Sequence, residues 1–323
     1  MENKKYIIGQ DICQDIISLL LVWITGVIRY QGSRKGIYTM ERFITEEIFL
    51  QYKEYLYSEE KSESTIKKYM RDLRKLAGYM AGREITKKLV AGYKKYLKEK
   101  KGYKLTSINS FIVAANRLFE YLGWYELKIR TYRIQKEVFV PESRNLSKAE
   151  YKKLVKAALN KGKKRLAMII QTVCATGMRI SELSGVTLES VTEGVVEIYC
   201  KGKQRMVLLP GKLRKKLQRY IKENRIVSGV VFCTSGGKAV DRSNIWKEMK
   251  LIGEEAGIYR GKVYPHNLRH LFAREFYAAG KDIAKLADVL GHSNIETTRG
   301  YIKATSTEHQ RLLDRMELVP GCE

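Results

Sequence analysis

The sequence is poor in proline, cysteine and acidic residues, and each shortage argues against a class of structure or partner. Four prolines in 323 residues argue against long disordered linkers. The five cysteines are widely separated and include no Cys-x-x-Cys pair, so they indicate neither a zinc site nor a disulfide framework. A reducing cytoplasm suits such a set. We therefore expect a cytoplasmic protein, long enough for two domains with a core in each.

A membrane-spanning segment is also lacking. The most apolar run, residues 16–28, covers only about 13 positions, whereas a transmembrane helix needs about 20. Asp11 and Asp15 stand just before this run, and no Ala-x-Ala cleavage site follows it, so a signal peptide fits poorly. We predict no membrane role. Residues 1–39 are interpreted as an N-terminal extension of uncertain role.

Negative charge is scarce relative to positive charge. The chain has 61 Lys and Arg against 35 Asp and Glu, a formal net charge of +26 spread along its whole length. Such a surplus repels itself in the folded state, so a polyanionic partner is the natural explanation. Nucleic acid is favoured, because many Lys and Arg contacts release condensed counterions. A merely soluble basic protein is the alternative.

Residues 40–136 are predicted to form a helical domain of four amphipathic helices. The segment 64–73 shows the pattern, with apolar residues at i, i+3, i+4 and i+7 and basic residues on the other face. Ser64 or Thr65 is the predicted cap of this helix, and Thr106-Ser107 the cap of a later one. The polar segment 125–142 is interpreted as extended, and residues 137–144 are assigned as the linker.

Residues 145–323 predict a second domain that is mainly α with one small antiparallel β-sheet. Ser147 and Glu150 form a capping box at its start. A buried helix over 166–174 is broken by Gly177. Two alternating runs, 195–199 and 206–209, are joined by a β-hairpin turn at 201–204. The remaining pattern is helical, over 212–225, 242–256, 266–279, 282–290 and 295–316. The fold class is therefore α+β.

Two arginines in this domain are suited to binding a phosphodiester. Arginine is always protonated and offers a planar fork to the non-bridging oxygens. Arg179 follows the break at Gly177, and Arg269 lies one helical turn after His266, so that pair shares a helix face. Glu182, three residues after Arg179, can orient a neighbouring basic group. A surface ion pair is the alternative for either arginine alone.

A nucleophile and a proton donor complete the predicted chemistry. Gly291 ends a helix, His292 follows it, and Tyr301 falls two turns into the next helix, which a second capping box at Ser293 and Glu296 is predicted to start. A phenol needs a proton acceptor and positive surroundings to attack phosphorus. A lysine at the hairpin tip can protonate the leaving oxygen, and Lys201 and Lys203 both stand there.

At these residues the chain resembles the tyrosine recombinases of the phage-integrase and Xer type. The likeness is strong over 144–318. Residues 40–136 resemble the helical core-DNA-binding domain of that family less specifically. The resemblance rests on five motifs in the expected order: Thr176-Gly177-Met178-Arg179-Ile180-Ser181-Glu182-Leu183, Lys201-Gly202-Lys203, His266-Asn267-Leu268-Arg269-His270, Leu290-Gly291-His292 and Tyr301.

The resemblance implies a role for each residue. Tyr301 is the nucleophile and forms a 3′-phosphotyrosine, Arg179 and Arg269 bind the phosphate, and Lys201 is the general acid. His266 assists proton transfer, His292 hydrogen-bonds the phosphate, and Glu182 and Lys203 are supporting residues. The hairpin is one residue shorter than the commonest family pattern, so the choice between Lys201 and Lys203 stays open. No cofactor, ATP or metal is implied.

The resemblance also implies the partners and the setting. These are double-stranded DNA recombination sites, a homo-tetramer in the synaptic complex, and accessory DNA-bending or excisionase proteins, in a nucleoid-associated location. The activity would integrate, excise or resolve a mobile element or replicon. An apolar stripe at Leu312, Leu313 and Met316 suggests a C-terminal helix that packs on a neighbour or in cis. The alternatives are a type IB topoisomerase-like enzyme and a DNA-binding protein without catalysis.

Overall fold

The computed structural model describes residues 42–135, 141–200, 203–234, 236–303, 310–311 and 314–316. Contacts divide the chain into two compact units, Met1–Lys136 and Glu137–Glu323, each with its own hydrophobic core. The predicted extension 1–39 and its apolar run lie outside the described residues. No helix in the described ranges is long and apolar enough to span a bilayer.

The first unit contains the four predicted helices. They are α1 (Glu46–Ser58), α2 (Glu63–Met80), α3 (Lys87–Glu99) and α4 (Leu105–Tyr121). Each buries one apolar stripe, as the amphipathic pattern requires; the stripe of α2 includes Ile66, Met70 and Leu73.

Two of the predicted helix starts in this unit were wrong. The N-cap of α2 is Ser62, not Ser64 or Thr65. Glu63 extends the helix toward its N-terminus, where a carboxylate interacts favourably with the helix dipole. The first residue of α4 is Leu105, ahead of the predicted Thr106-Ser107 cap. Leu105 packs against the core, so its burial extends the helix toward the N-terminus.

Residues 125–135, here called the strap, pack on the first unit instead of forming an extended linker. The strap begins with a 3-10 turn, Tyr125–Leu127, and Leu127 is buried in the core. Two asparagines of α4 then bind its backbone. Asn116 pairs with the N–H and C=O of Ile129 at 3.0 and 2.9 Å, and Asn109 pairs with those of Tyr132 at 2.7 and 2.8 Å.

Two lysines of α3 also hold the strap. Lys94 donates to the carbonyl of Arg130 at 2.8 Å, and its Nζ lies 3.9 Å from the centroid of the Tyr132 ring. Lys87 donates to the carbonyl of Glu126 at 2.7 Å and to that of Lys128. Beyond its first turn, the strap therefore takes these hydrogen bonds from side chains, without belonging to a sheet.

The second unit is mainly helical with one two-stranded antiparallel sheet within the described residues, which confirms the predicted fold class. Its elements, in order, are α5 (Lys148–Asn160), α6 (Lys164–Thr176), α7 (Leu188–Glu193), β1 (Val195–Cys200), β2 (Lys203–Leu208), α8 (Gly211–Glu223), α9 (Arg242–Glu255), α10 (Pro265–Gly280), α11 (Ile283–Leu290) and α12 (Ile295–Tyr301).

Local chemistry sets the boundaries of the elements around the site. Ser147 and Glu150 form the predicted capping box, with hydrogen bonds of 2.8 and 3.1 Å. Gly177 ends α6 at φ +66, and a Cβ there would come within 2.4 Å of the Phe272 ring. Only glycine fits such a position, because it requires both a left-handed backbone and the absence of a side chain.

The C-terminal helix prediction was partly wrong. Of the helix expected over 295–316, α12 ends at Tyr301 and residues 302–303 are not helical, whereas residues 310, 311 and 314 are helical again. The predicted start of this helix at Ser293 was also wrong, because the N-cap is Asn294, whose Oδ1 accepts from the Glu296 N–H at 2.8 Å. Of the expected apolar stripe, Leu312 and Leu313 lie outside the described residues, and Met316 is exposed.

Candidate active site

Arg269 is a fully buried arginine on α10, with 1% of its surface exposed. Its Nη1 donates to the carbonyl of Gly177 at 2.5 Å, and its Nη2 to that of Leu290 at 2.7 Å. These carbonyls lie at the C-terminal ends of α6 and α11, where helix dipoles place partial negative charge. Burial lowers the pKa of Arg269, but a guanidinium stays charged in proteins. Its positive charge is thus stabilised by carbonyls and remains available to an anion.

Glu182 orients the second predicted arginine. Arg179 follows Gly177 and precedes a 3-10 turn, Ile180–Gly185. The backbone N–H of Arg179 donates to Glu182 Oε2 at 2.6 Å, and its Nη1 donates to Oε1 at 3.0 Å. Glu182 is buried, whereas the Arg179 side chain is 39% exposed. The carboxylate therefore holds the guanidinium in place while leaving part of it open.

A third arginine, which the sequence did not predict as a site residue, completes this group. Arg205 on β2 donates from Nη2 to Glu182 Oε2 at 2.5 Å. A basic residue in an alternating strand, two positions after Lys203, was a weak signal for it, because such residues are usually solvated.

His292 has a defined tautomer. Its Nε2 lies 2.9 Å from Arg269 Nη2, and its Nδ1 lies 2.9 Å from Thr298 Oγ1. Arginine can only donate, so Nε2 accepts and the proton resides on Nδ1, which donates to the fully buried Thr298. Burial and then the charges of Arg269, Arg179 and Arg205 lower the pKa of His292 to about 4. His292 is therefore neutral at pH 7.

Tyr301 is buried among three histidine side chains, with 8% of its surface exposed. Its ring stacks on that of His270 with centroids 4.3 Å apart, and the His292 and His266 centroids lie at 5.1 and 5.2 Å. The guanidinium carbon of Arg269 is 5.7 Å from the Tyr301 centroid. The His266–His270 motif and the Leu290–His292 motif thus meet at the phenol, and the first of them adds His270 to the predicted set.

Burial keeps the histidines around Tyr301 neutral. Burial and then His266 lower the pKa of His270 to about 4. Burial and then Arg269 and Arg179 lower the pKa of His266 below its usual 6.5. At pH 7 the positive charge in this part of the described structure therefore comes from arginines, and the imidazoles can accept protons.

A cavity of about 580 Å³ opens in front of the site. Arg179, His266 and Arg269 line one part of it. Arg242, Ser243 and Trp246 on the first turns of α9 line another part, and sequence reasoning did not predict these three. An exposed tryptophan one turn after an arginine at a helix start was the only available signal.

The structure gathers six of the predicted residues and leaves the two lysines undetermined. Arg179, Glu182, His266, Arg269, His292 and Tyr301 lie together. Lys201 lies outside the described residues, and Lys203 is described only as the first residue of β2, opposite Cys200. The assembled groups combine fixed cations, neutral bases and a buried phenol, which is a combination suited to attack on a phosphodiester.

Comparisons with known proteins identify relatives of this chain. The model of the phage integrase family matches residues 144–308, and that of the phage integrase N-terminal SAM-like domain matches residues 49–126. Tyrosine recombinase XerA of Pyrococcus furiosus is 29% identical over 290 residues, covering 86% of this chain and 97% of that protein. Tyrosine recombinase XerD of Yersinia pestis is 30% identical over 276 residues, covering 78% and 90%.

Solved structures show the same fold. A lambda integrase dimer bound to a COC′ core site has a TM-score of 0.65 at 15% identity, covering 86% of this chain and 99% of that one. The XerH site-specific recombinase in a post-cleavage complex with a palindromic difH substrate has a TM-score of 0.61 at 23% identity, covering 79% of each chain.

Proposed function

Because the chain belongs to the phage integrase family of tyrosine recombinases, it is a site-specific DNA recombinase, and we propose that Tyr301 is its nucleophile. The observation that carries this proposal is the position of the phenol. It lies among three imidazoles and beside the buried Arg269. With 21 tyrosines in the chain, the sequence position alone would be weak support.

In the proposed reaction, Tyr301 Oη attacks the scissile phosphorus and the bond from phosphorus to the 5′-oxygen breaks. A 3′-phosphotyrosine forms and a 5′-hydroxyl is released. Arg179 and Arg269 bind the non-bridging oxygens, whose negative charge grows in the transition state. The phenolic proton passes to a neighbouring base, for which neutral His266 is suited. Attack by a second 5′-hydroxyl reverses these steps and rejoins the DNA.

The leaving oxygen receives its proton from a lysine of the hairpin tip. We assign this role to Lys201, with Lys203 as the supporting residue, on the strength of the family resemblance. Because the phosphotyrosine preserves the energy of the cleaved bond, rejoining requires no ATP.

The proposed contact of His292 with the phosphate has a consequence for its protonation. A phosphate oxygen accepts hydrogen bonds, but Nε2 of His292 is itself an acceptor in this structure. His292 can donate to phosphate only after it gains a proton or changes tautomer. The negative phosphate favours the protonated ring, because it opposes the arginine charges that lower this pKa.

We further propose double-stranded DNA sites as the substrate and a tetramer as the form that exchanges strands. The net charge of +26 supports DNA binding, and the matched XerH and lambda integrase structures are complexes with DNA. Accessory DNA-bending or excisionase proteins, and a nucleoid location, follow from the family resemblance. The proposed strand exchange serves the integration, excision or resolution of a mobile element or replicon.

Covalent capture tests the nucleophile and finds the DNA site in one experiment. The protein is mixed with a library of nicked duplexes and denatured, and DNA that remains attached to protein is sequenced. We expect the wild type to capture one recurrent sequence through a 3′ end and Tyr301→Phe to capture none.

A matched variant controls for general effects of losing a phenol. Tyr259 is exposed and lies outside the cavity lining, so Tyr259→Phe should capture DNA like the wild type. Equal capture by Tyr301→Phe would refute the assignment. Capture spread over unrelated sequences would instead indicate a topoisomerase-like activity without site selection.

A further inference from the structure

Asp72 is a buried carboxylate beneath the basic face of α2, with 2% of its surface exposed. Two cations of the same helix bind it. Lys68 Nζ donates to Oδ2 at 3.2 Å, and Nε and Nη2 of Arg71 donate to Oδ1 at 3.2 and 3.1 Å. Lys68 precedes Asp72 by one helical turn, which is a spacing that brings side chains of a helix together. One carboxylate therefore holds both cations.

The two cations remain open to solvent although the carboxylate is not. The Arg71 side chain is 65% exposed and that of Lys68 is 42% exposed, whereas that of Asp72 is 1% exposed. Ion pairs with exposed cations contribute little to stability, and burying a carboxylate is costly. A nonpolar residue of similar size at position 72 would avoid that cost. Stability is therefore a poor explanation for a carboxylate at this position.

Each cation keeps hydrogen-bond donors for a further acceptor. Arg71 uses Nε and Nη2 on Asp72, so its Nη1 group has no hydrogen-bond partner among the described residues. Lys68 donates to Asp72 and to the hydroxyl of Ser110 on α4, which leaves its third hydrogen without an acceptor in the same part of the chain. The contacts with Asp72 and Ser110 therefore fix two cations whose remaining donors face solvent.

The candidate active site contains a similar arrangement. There the buried Glu182 holds Arg179, whose side chain stays 39% exposed and is assigned to a phosphate oxygen. In both places the carboxylate reduces the local positive charge, yet it sets the direction of the donors. A guanidinium that is already held in place loses less conformational freedom when it binds a phosphate. The arrangement at Asp72 is therefore suited to binding a phosphate in a fixed geometry.

We propose that Asp72 is a positioning residue that holds Arg71 and Lys68 as a fixed contact for the phosphate backbone of DNA. This inference rests on DNA as the substrate of the proposed function. Its consequence is opposite to that of charge alone. Asp72 binds both cations directly, so removal of its negative charge would strengthen a purely electrostatic attraction to phosphate. If the carboxylate orients the donors, its removal weakens the contact instead.

Fluorescence anisotropy with the full chain and a labelled DNA duplex of arbitrary sequence measures this contact, because phosphate contacts do not depend on sequence. In Asp72→Asn the amide has one acceptor oxygen, so its NH₂ group faces one of the two cations. We expect the dissociation constant to rise about 10-fold at about 0.1 M salt. The slope of log affinity against log salt should become shallower by about 0.9, which corresponds to one lost phosphate contact.

Three matched variants separate orientation from charge. Glu63→Gln removes an exposed carboxylate of the same helix, 3.1 Å from Lys67, and should leave DNA binding unchanged or tighten it. Arg71→Lys keeps the charge but loses the planar fork, so it should weaken binding about 5-fold. Arg74→Lys makes the same exchange at another exposed position of α2, where no ion pair is formed within residues 42–135, and should bind like the wild type.

The outcomes are decisive in either direction. Tighter or unchanged DNA binding by Asp72→Asn, with its melting temperature preserved, would overturn the inference. If Asp72→Asn does not fold, the exposed Arg71→Lys decides, and binding equal to that of Arg74→Lys would overturn the inference. A wild type that does not bind the duplex would refute DNA as the substrate, and the inference with it. Covalent capture through Tyr301 is measured separately, so failure at position 72 alone leaves the proposed function intact.

Discussion

The stacking of His270 on Tyr301 predicts a stability that depends on pH. Burial and then His266 lower the pKa of His270 from 6.5 to about 4 in the folded protein, while the unfolded chain keeps an ordinary value. The unfolded state therefore binds more protons between these values. The contribution of His270 to stability is fully present above pH 6.5 and decreases as the pH falls toward 4. Linkage gives a loss of about 2 kcal/mol between pH 7 and pH 5 for this one group.

Urea unfolding at pH 7 and pH 5 measures this effect, with His270→Phe as the comparison. Phenylalanine keeps a stacked ring but cannot bind a proton. The free energy of unfolding of the variant should fall about 2 kcal/mol less than that of the wild type over the same interval. Carboxylates and the other histidines contribute to both proteins, so the difference isolates position 270. An equal pH dependence in the two proteins would refute a buried, neutral His270.

Two further substitutions test the groups that hold the phosphate-binding residues. Glu182→Gln should reduce the free energy of unfolding by about 2–3 kcal/mol, because an amide has one acceptor oxygen, and its NH₂ group would face an arginine donor in place of the second carboxylate oxygen. The melting temperature should then fall by about 5–10 °C, with exposed Glu193→Gln unchanged; an unchanged melting temperature would contradict the buried ion pair. Thr298→Val should remove the acceptor for His292 Nδ1–H, so ring nitrogen NMR shifts should show loss of the single tautomer. A wild type that already holds its proton on Nε2 would disprove the assignment.

The sequence was sufficient to predict the site residues that interact with residues close to them in the chain. Glu182 lies three residues from Arg179, and His266 lies three from Arg269, so helical geometry alone brings each pair together. The turn at Gly177 was also predictable, since a break between a buried helix and a polar segment favours glycine. The amphipathic pattern identified the four helices of the first unit for the same reason.

Residues that depend on distant contacts could not be predicted in this way. Arg205 meets Glu182 across 23 positions and Val289 across 84, and neither contact leaves a periodic signal. Thr298 is a polar residue in a short helix, and it gains a role only because His292 turns back onto it. The end of α12 at Tyr301 had only one local marker, Gly300, and this glycine lies inside the helix rather than after it.

The strap changes how the basic surface of the first unit should be mapped. Lys87 and Lys94 contribute to the positive charge, yet both donate to backbone carbonyls of residues 126–130. A charge-reversal scan would record weaker DNA binding at these positions even if neither lysine touched DNA, because the strap would be released. Lysines beside them that lack such acceptors, such as Lys95, provide the fair comparison. Acetylation of Lys94 would likewise act on the fold before it acted on any contact with DNA.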